Sequence, residues 1–430
     1  MVDPKTDASL QVGLAEVEIT PPVGTHKIGW LRDIVSTEIL SPLYARVAVF
    51  RTAITAVALV QLDTLFIAWP EVASIRAAVE RSWGFPGRNI MVAATHNHAG
   101  PAVTHAGDVS KDEAYAQFLV SQVTRAFGQA LDSLVAAEVA FGRSFEWKVA
   151  HNRRVVMRDG TVRTHGTFDD LEALCLEGPI DPEVAVVAVR DRDHEPLGLI
   201  VNYACHPTHH GGDTSIDAGY PGVLAGRLRE SGWPVTLFVN GASGNVHTSD
   251  PTAAGKSLSA ESVGTILAHD VQVALKDATY SDALDLGAAS MTIELPYRRP
   301  TDAEIAGELE GAQRFIDPAI YERQIPALLR KMGVRGAHRA EVQALAIGDC
   351  ILVSVPAELF VEYGLQIKEA AHPARALVAT CANGRVGYVP TPAAFLRGGY
   401  ETTFGPSSML APEAGERLVE TAADLVRRLR

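Results

Sequence analysis

The chain is sparing in features that would place it in several large protein classes. Its 430 residues include four cysteines, Cys175, Cys205, Cys350 and Cys381, and no two stand at CxxC spacing. A small disulfide-stapled scaffold is excluded, and buried free thiols in a reducing compartment are expected. No basic block occurs, and the formal net charge is −13. Nucleic acid is therefore a poor partner, and the charge favours solubility. No apolar run is long enough to span a membrane; 47–60 is broken by Arg51 and by several threonines and alanines. The segment 1–10 is polar and mixed in charge, without the apolar stretch of a secretory signal. These absences predict a soluble, cytoplasmic protein without a transmembrane segment, and none of them argues against a homo-oligomer. No repeat or low-complexity linker marks a boundary. One domain over 1–430 is expected, with the polar stretch 302–336 as a helical insertion or lid.

What is present is an alternation of short apolar runs with longer amphipathic stretches. Strands are predicted at 45–50 and 56–62 as a hairpin, and at 90–94, 184–189, 197–203, 235–239, 284–295 and 376–380. A second hairpin is predicted over 344–354 through Gly348-Asp349. Helices are predicted over 71–83, where Val72, Ile75, Val79 and Trp83 share a side, and over 112–134, where Leu119, Val123 and Phe127 recur every four residues. Further helices are predicted at 221–230, with Pro221 in the first turn, and at 257–275, 302–332, 358–370 and 412–430. This order predicts an α/β fold, a mixed β-sheet core flanked by helices. In such folds ligands sit beyond the carboxyl ends of strands, and the polar motifs fall there.

The first motif, Thr95-His96-Asn97-His98-Ala99-Gly100-Pro101, follows the strand at 90–94. Residues two apart in extended chain face one side, so His96 and His98 can aim at one centre, and imidazole is a good zinc ligand; two histidines in a polar loop is the plain alternative. The second, Cys205-His206-Pro207-Thr208-His209-His210, closes the strand at 197–203. There His206 is the ligand candidate, His209 and His210 read as solvated loop residues, and Cys205 reads as a buried thiol. The third, Asn240-Gly241-Ala242-Ser243-Gly244-Asn245-Val246-His247, is a small-residue loop. It offers either a close backbone approach with an oxyanion site or merely a tight strand-to-helix turn. In the fourth, Pro356-Ala357-Glu358, the carboxylate is expected to open a helix, where the dipole favours it without any metal. In the fifth, Tyr388 and Tyr400 lie in a Gly/Pro-rich loop that either packs or carries function. Trp30, Phe395 and Phe404 are candidates for a pocket wall, though ordinary packing explains each.

Taken in order, these motifs resemble the neutral ceramidases, a family of zinc amidases. Ile19-Thr20-Pro21-Pro22 is similar to that family's N-terminal signature, the HxH segment to its THTHSGPG, and His206-Pro207-Thr208 to its HPT. Pro356-Ala357-Glu358 is similar to its PGE, and Tyr388-Val389-Pro390-Thr391 with Tyr400-Glu401 to its YVTT and YE pair. The resemblance implies a zinc ion held by His96, His206, Glu358 and Tyr388, with His98 and Tyr400 at the reacting centre. It also implies Arg153 of Asn152-Arg153 as a substrate-binding residue, with Gly244 and Asn245 of the glycine loop beside it. The implied activity is hydrolysis of an amide (N-acyl) bond in a small-molecule or lipid-like substrate by a metal-activated water. Two departures matter. His247 stands where the family's glycine loop has a serine, which makes His247 a candidate catalytic residue and a serine nucleophile doubtful. The chain also ends at Arg430, without the additional C-terminal domain of the longer ceramidases. A zinc-dependent ester, lactone or carbamate hydrolase and a non-catalytic metal-binding homologue are the rival readings. His, Glu and Tyr ligands suit iron as well as zinc.

Overall fold

Two β-sheets carry the chain, and side-chain alternation along their strands fixes how they stack. The computed structural model describes residues 10–30, 32–315 and 317–430; all but Leu10 of the polar N-terminal segment lies outside them. The main sheet contains β1 (Gln11–Glu18), β2 (Tyr44–Arg51), β3 (Ala56–Leu62), β4 (Ile90–Ala94), β5 (Val135–Phe145), β6 (Glu183–Asp191), β7 (Pro196–Tyr203) and β8 (Val235–Asn240). Its order is β8-β7-β6-β5-β1-β2-β3-β4, with Tyr280–Ser281 added beside β5. The pairs β7/β8 and β3/β4 at the two ends are parallel, and the rest are antiparallel. The second sheet runs β9 (Leu286–Pro296), β10 (Ala337–Ile347), β11 (Cys350–Val355), β12 (Arg375–Thr380), with β11/β12 parallel.

Val47, Val49, Ala58 and Val60 pack with Val72, Ile75 and Val79 of helix α1 (Trp69–Trp83) and Leu119, Val123 and Phe127 of α2 (Glu113–Asp132). The intervening Ala48, Phe50, Val57 and Leu59 pack instead with Leu345, Ile347, Leu352 and Leu377 of the second sheet. Helices α3 (Gly219–Glu230) and α4 (Ala260–Leu275) cover β6–β8, while α5 (Pro318–Arg335), α6 (Val361–Ala371) and α7 (Ala414–Arg428) cover the far face of the second sheet. The period of two thus yields four layers, helices, sheet, sheet, helices. Asn202 of β7 ties the sheets together: its Nδ2 donates to the carbonyls of Val239 at 2.8 Å and Val378 at 3.0 Å. The mixed α/β architecture is the one expected. No helix among the described residues is long and apolar enough to cross a membrane.

The departures from expectation have local causes. β1 and β5 were not anticipated, because glycine and charged residues dilute their apolar pattern. Those glycines serve close packing: a Cβ on Gly13 would meet the Ala130 carbonyl oxygen at 1.9 Å, and one on Gly142 the Ala274 oxygen at 2.2 Å. The single helix expected at 302–332 is two, Asp302–Ala306 and Pro318–Arg335. The first ends at Gly307, which has φ 73°, and the second opens at a proline capped by the Asp317 side chain. Glu358 does not open a helix. Glu358–Leu359 is a short strand parallel to Tyr388–Val389, and the helix begins three residues later, behind an extended Phe360. A strand pairing, not a helix dipole, fixes this carboxylate.

Asn202→Ala leaves two buried carbonyls without their donor. A loss of roughly 1–3 kcal/mol is expected in denaturant unfolding; an unchanged midpoint would show that the sheets do not rely on this tie.

Candidate metal centre and active site

Each parallel strand pair delivers its carboxyl-end loops to one place. β3 leads to Leu65 and Phe66, β4 to His96, β7 to His206, β8 to Ser243 and His247, β11 to Glu358 and β12 to Cys381. His96 does not continue the strand. Its φ is 67°, a left-handed conformation costing on the order of 1–3 kcal/mol for a residue with a Cβ. His96 and His98 therefore converge through a turn and not through strand alternation.

The three histidine rings are fixed by backbone carbonyls. Nδ1 of His96 donates to Leu65 O at 3.0 Å, Nδ1 of His206 to Ser243 O at 2.7 Å, and Nδ1 of His98 to Gly29 O at 2.7 Å. Gly29 must be glycine for this approach, since a Cβ there would lie 1.6 Å from the His98 carbonyl oxygen. A carbonyl cannot donate, so each Nδ1 carries the hydrogen and each Nε2 presents a lone pair. The lone pairs converge: Nε2 of His96 lies 2.9 Å from Nε2 of His206 and 3.3 Å from Nε2 of His98. Burial pushes the pKa of His96 and His206 well down, helped by Arg153 and by neighbouring imidazoles, and burial with Arg153 brings His98 to about 4. All three are neutral at neutral pH, the ligating form. Nitrogen lone pairs at this spacing repel one another unless a cation lies among them, so the donor set fits a metal ion. The three histidines form a group able to hold one.

Glu358 completes the cluster from the second sheet. Its Oε1 lies 3.6 Å from Nε2 of His96 and 3.9 Å from Nε2 of His206. Burial raises its carboxyl pKa, while Arg385, Tyr388 and Arg153 draw it down. The strand pairing Glu358↔Tyr388 brings the phenol alongside, and Nη2 of Arg153 donates to Tyr388 Oη at 3.2 Å. Arg153 also gives Nε to Glu401 at 2.8 Å and Nη2 to Gly244 O at 2.7 Å. It lines the pocket while holding Tyr388 in place. Tyr400 lies against Tyr388, ring centroids 5.6 Å apart, and burial and Glu358 push its phenol up to about 12, so it keeps its proton.

The glycine loop divides. His247 lines the pocket; its Nδ1 accepts from Ser249 N–H at 2.8 Å, so its Nε2–H donates to Thr208 Oγ1 at 2.6 Å. Gly244 and Asn245, expected to touch substrate, stand behind the wall. Gly244 N–H donates to Leu359 O at 2.8 Å and is not free for an oxyanion. Asn245 donates to Glu362 and accepts from Val361 N–H at the start of α6. The loop leads into the short strand Val246–His247, not a helix. Ser243 pairs with Asn240 and is buried. His209 and His210 bond to Leu258 O and Asp213 and lie outside the histidine group, and Cys205 is a buried thiol. Trp30 lines the pocket, whereas Phe395 and Phe404 sandwich Arg298 elsewhere.

The pocket has a volume of about 410 Å³, and Trp30, Leu65, Phe66 and Phe315 supply its apolar wall. Several groups in the pocket wall and behind it escaped sequence reasoning. Glu401 accepts from Arg153, from Arg154 at 2.7 Å and from Thr164 at 2.7 Å. Its only sequence signal was its place beside Tyr400. Burial pushes its carboxyl up, but Arg153, Arg154 and Thr164 outweigh that and bring it to about 2. Cys381, with Sγ 3.4 Å from Nδ1 of His96, and His165 are single loop residues without a motif.

A mixed α/β chain with a metal-competent histidine cluster at its strand ends is the class these features define. No family model and no curated protein matches the sequence, so the likeness is visible in solved structures. Neutral ceramidase from Pseudomonas aeruginosa matches 98% of this chain and 75% of its own, with a TM-score of 0.73 at 18% identity. A ceramidase complexed with C2 matches 98% and 76%, with a TM-score of 0.73 at 17% identity. The chain has the neutral-ceramidase fold.

His96→Ala and His206→Ala are each expected to weaken zinc binding beyond the roughly 10–100-fold that loss of an outer-shell partner brings, measured against a chromogenic chelator. Retained affinity in both would remove them as ligands. Glu401 makes a separate, pH-dependent contribution. A shift from 4.5 to about 2 represents on the order of 3 kcal/mol, present above pH 4.5 and lost as pH falls toward about 2. Glu401→Gln should lower total stability yet flatten its fall between about pH 5 and pH 3; an unchanged acid slope would contradict the assignment.

Proposed function

We propose that the protein is a metal-dependent hydrolase that cleaves an amide (N-acyl) bond, with zinc as its metal. The observation carrying this reading is the convergence of three imidazole lone pairs with a buried carboxylate at the base of a pocket containing a protonated Tyr400. Fold likeness to the ceramidases supports it. His96, His206, Glu358 and Tyr388 would hold the ion, which when bound polarises a carbonyl and lowers the pKa of water. The chain's own groups do the remainder. Tyr400 donates its phenol hydrogen to the oxygen of the carbonyl under attack, where charge develops, a contribution of roughly 3 kcal/mol. His98, whose Nε2 is a free base, takes the proton of the attacking water and passes it to the departing amine. His247 gives its Nε2–H to Thr208 Oγ1 and so leaves the Thr208 hydroxyl hydrogen free to orient a substrate group. Arg153 fixes Tyr388, and Glu401 fixes Arg153. Phe315, from the stretch 302–336, packs on Tyr400 with ring centroids 4.9 Å apart, which suits a covering role for that stretch.

One observation favours a second arrangement of the same site. Nε2 of His98 lies close enough to Nε2 of His96 to be a ligand itself. His96, His98 and His206 would then hold the ion, and Glu358, whose carboxyl pKa is raised by burial, would handle the proton.

His98→Gln separates the two. In the first arrangement, metal content is kept and kcat falls by roughly 10²–10⁴-fold; in the second, metal affinity falls with it. Tyr400→Phe should lower kcat about 10²–10³-fold on anilide substrates at unchanged metal content. Activity within about threefold of the parent would exclude Tyr400 as the oxyanion donor. Matched anilide and ester substrates of one acyl group decide between amide and ester cleavage.

A further inference from the structure

A second, larger cavity of about 1240 Å³ adjoins the reaction pocket, and Ala106, Arg385 and Ser407 line both. Its charge is lopsided. Lys331 and Arg335 enter from α5, and Arg385 enters from the loop after β12. Arg385 is held where the two spaces meet: Nη1 donates to His105 O at 3.0 Å, and its guanidinium lies 4.1 Å over the Phe66 ring. Of the two glutamates in the lining, Glu341 is engaged by Arg76 at 2.8 Å, while Glu294 stands opposite Arg339 in the β9–β10 register, one further carboxylate set against one further cation. Arg323 is likewise matched, by Asp108 at 2.5 Å. Lys331, Arg335 and Arg385 have no carboxylate within 4.0 Å among the described residues. Their proximity is felt: burial and then Arg335 and Arg385 lower the Lys331 ammonium pKa, and burial with Lys331 and Arg335 holds His338 near 4. A cation at a helix C-terminus is favourable in itself, which accounts for Arg335. It does not account for three cations without an ion-pair partner drawn from two elements around one cleft; Glu358 in the neighbouring pocket acts on Arg385 without outweighing its burial, and the mutual repulsion of the three is relieved when an anion enters. Trp69, Leu328 and Met409 add apolar surface to the same cleft.

We propose that this cleft binds an anionic group, carboxylate or phosphate, at one end of the amide substrate, so that the substrate class is an anionic N-acyl compound with its scissile bond in the histidine pocket. This rests on the hydrolase reading for the word substrate, though not for the anion site itself.

Two series of probes test it. On the acyl side, 4-nitroanilides of dicarboxylic acids of increasing length are compared with their methyl esters; on the amine side, N-acyl amino acids are compared with their primary amides. In one series or the other the charged member should have a kcat/KM at least about tenfold higher, a preference that weakens with added salt. In the Lys331→Gln, Arg335→Gln double variant the preference should fall below about threefold while the neutral member is cleaved as by the parent chain. A binding measurement separates failure of this inference from failure of the hydrolase reading. Calorimetric titration of the zinc-loaded chain with the free dicarboxylates and with inorganic phosphate should give a Kd raised about tenfold or more in the double variant. That result supports the anion site even if no amide is cleaved. Equal kcat/KM for charged and neutral members, or anion binding that is undetectable in the parent chain or unchanged in the double variant, overturns the proposal.

Discussion

Three imidazoles that each donate an Nδ1 hydrogen bond to a backbone carbonyl have one lone pair left, on Nε2, and the fold aims all three at one point. The rest of the site follows from that constraint. The carbonyls of Leu65, Ser243 and Gly29 lie in loops at strand ends, so the tautomers are set by backbone that the sheets hold in place. The cost is visible in a left-handed His96 and in a glycine at 29 that nothing larger could replace. Neutral imidazoles in a buried cluster are poor company for one another and good company for a cation. Glu358 adds the charge that makes the environment complementary to a divalent ion.

Behind this shell lies a second network with the opposite balance. Arg153, Arg154, Glu177 and Glu401 are all buried or nearly so, and their charges alternate. Buried ions are destabilising unless paired and hydrogen-bonded throughout. Here Glu401 receives two guanidinium groups and a hydroxyl, and Arg154 also reaches the Gly398 carbonyl at 2.9 Å. The network locks the 152–154 segment to the loop carrying Tyr400, and through Arg153 it reaches Tyr388. Stability spent on burying four charges is returned as fixed positions for two phenols. Arg385 is the exception, a cation over an aromatic ring at the junction of two cavities with no carboxylate bound to it, which directs attention to what binds there.

Much of this was legible in the sequence. His96, His98 and His206 stood out because histidines clustered just where apolar runs ended, and Glu358, Tyr388 and Tyr400 followed from the order of motifs. The sheet-forming runs at β3, β4, β7 and β8 were legible because both faces of those strands are buried. β1 and β5 were not, because their glycines, needed for helix packing, look like breaks. The role of Glu358 in a strand pair was hidden by its nearness to a helix start. Gly244 and Asn245 were read as substrate contacts because loop glycines invite that reading, whereas their closeness serves Leu359 and the start of α6. Leu65 and Phe66, Phe315 and Arg385 reach the pocket from three separate loops with no local pattern, and only the assembled fold brings them together.

The central claim is that these lone pairs are a metal site. Its most direct measurement is calorimetric titration of chelator-treated protein with zinc, with elemental analysis of the loaded chain. The account predicts uptake of about one ion per chain, accompanied by a rise in thermal stability, as a specific ligand of the folded state requires. A chain that binds no divalent ion, with an unfolding midpoint indifferent to zinc, would contradict it.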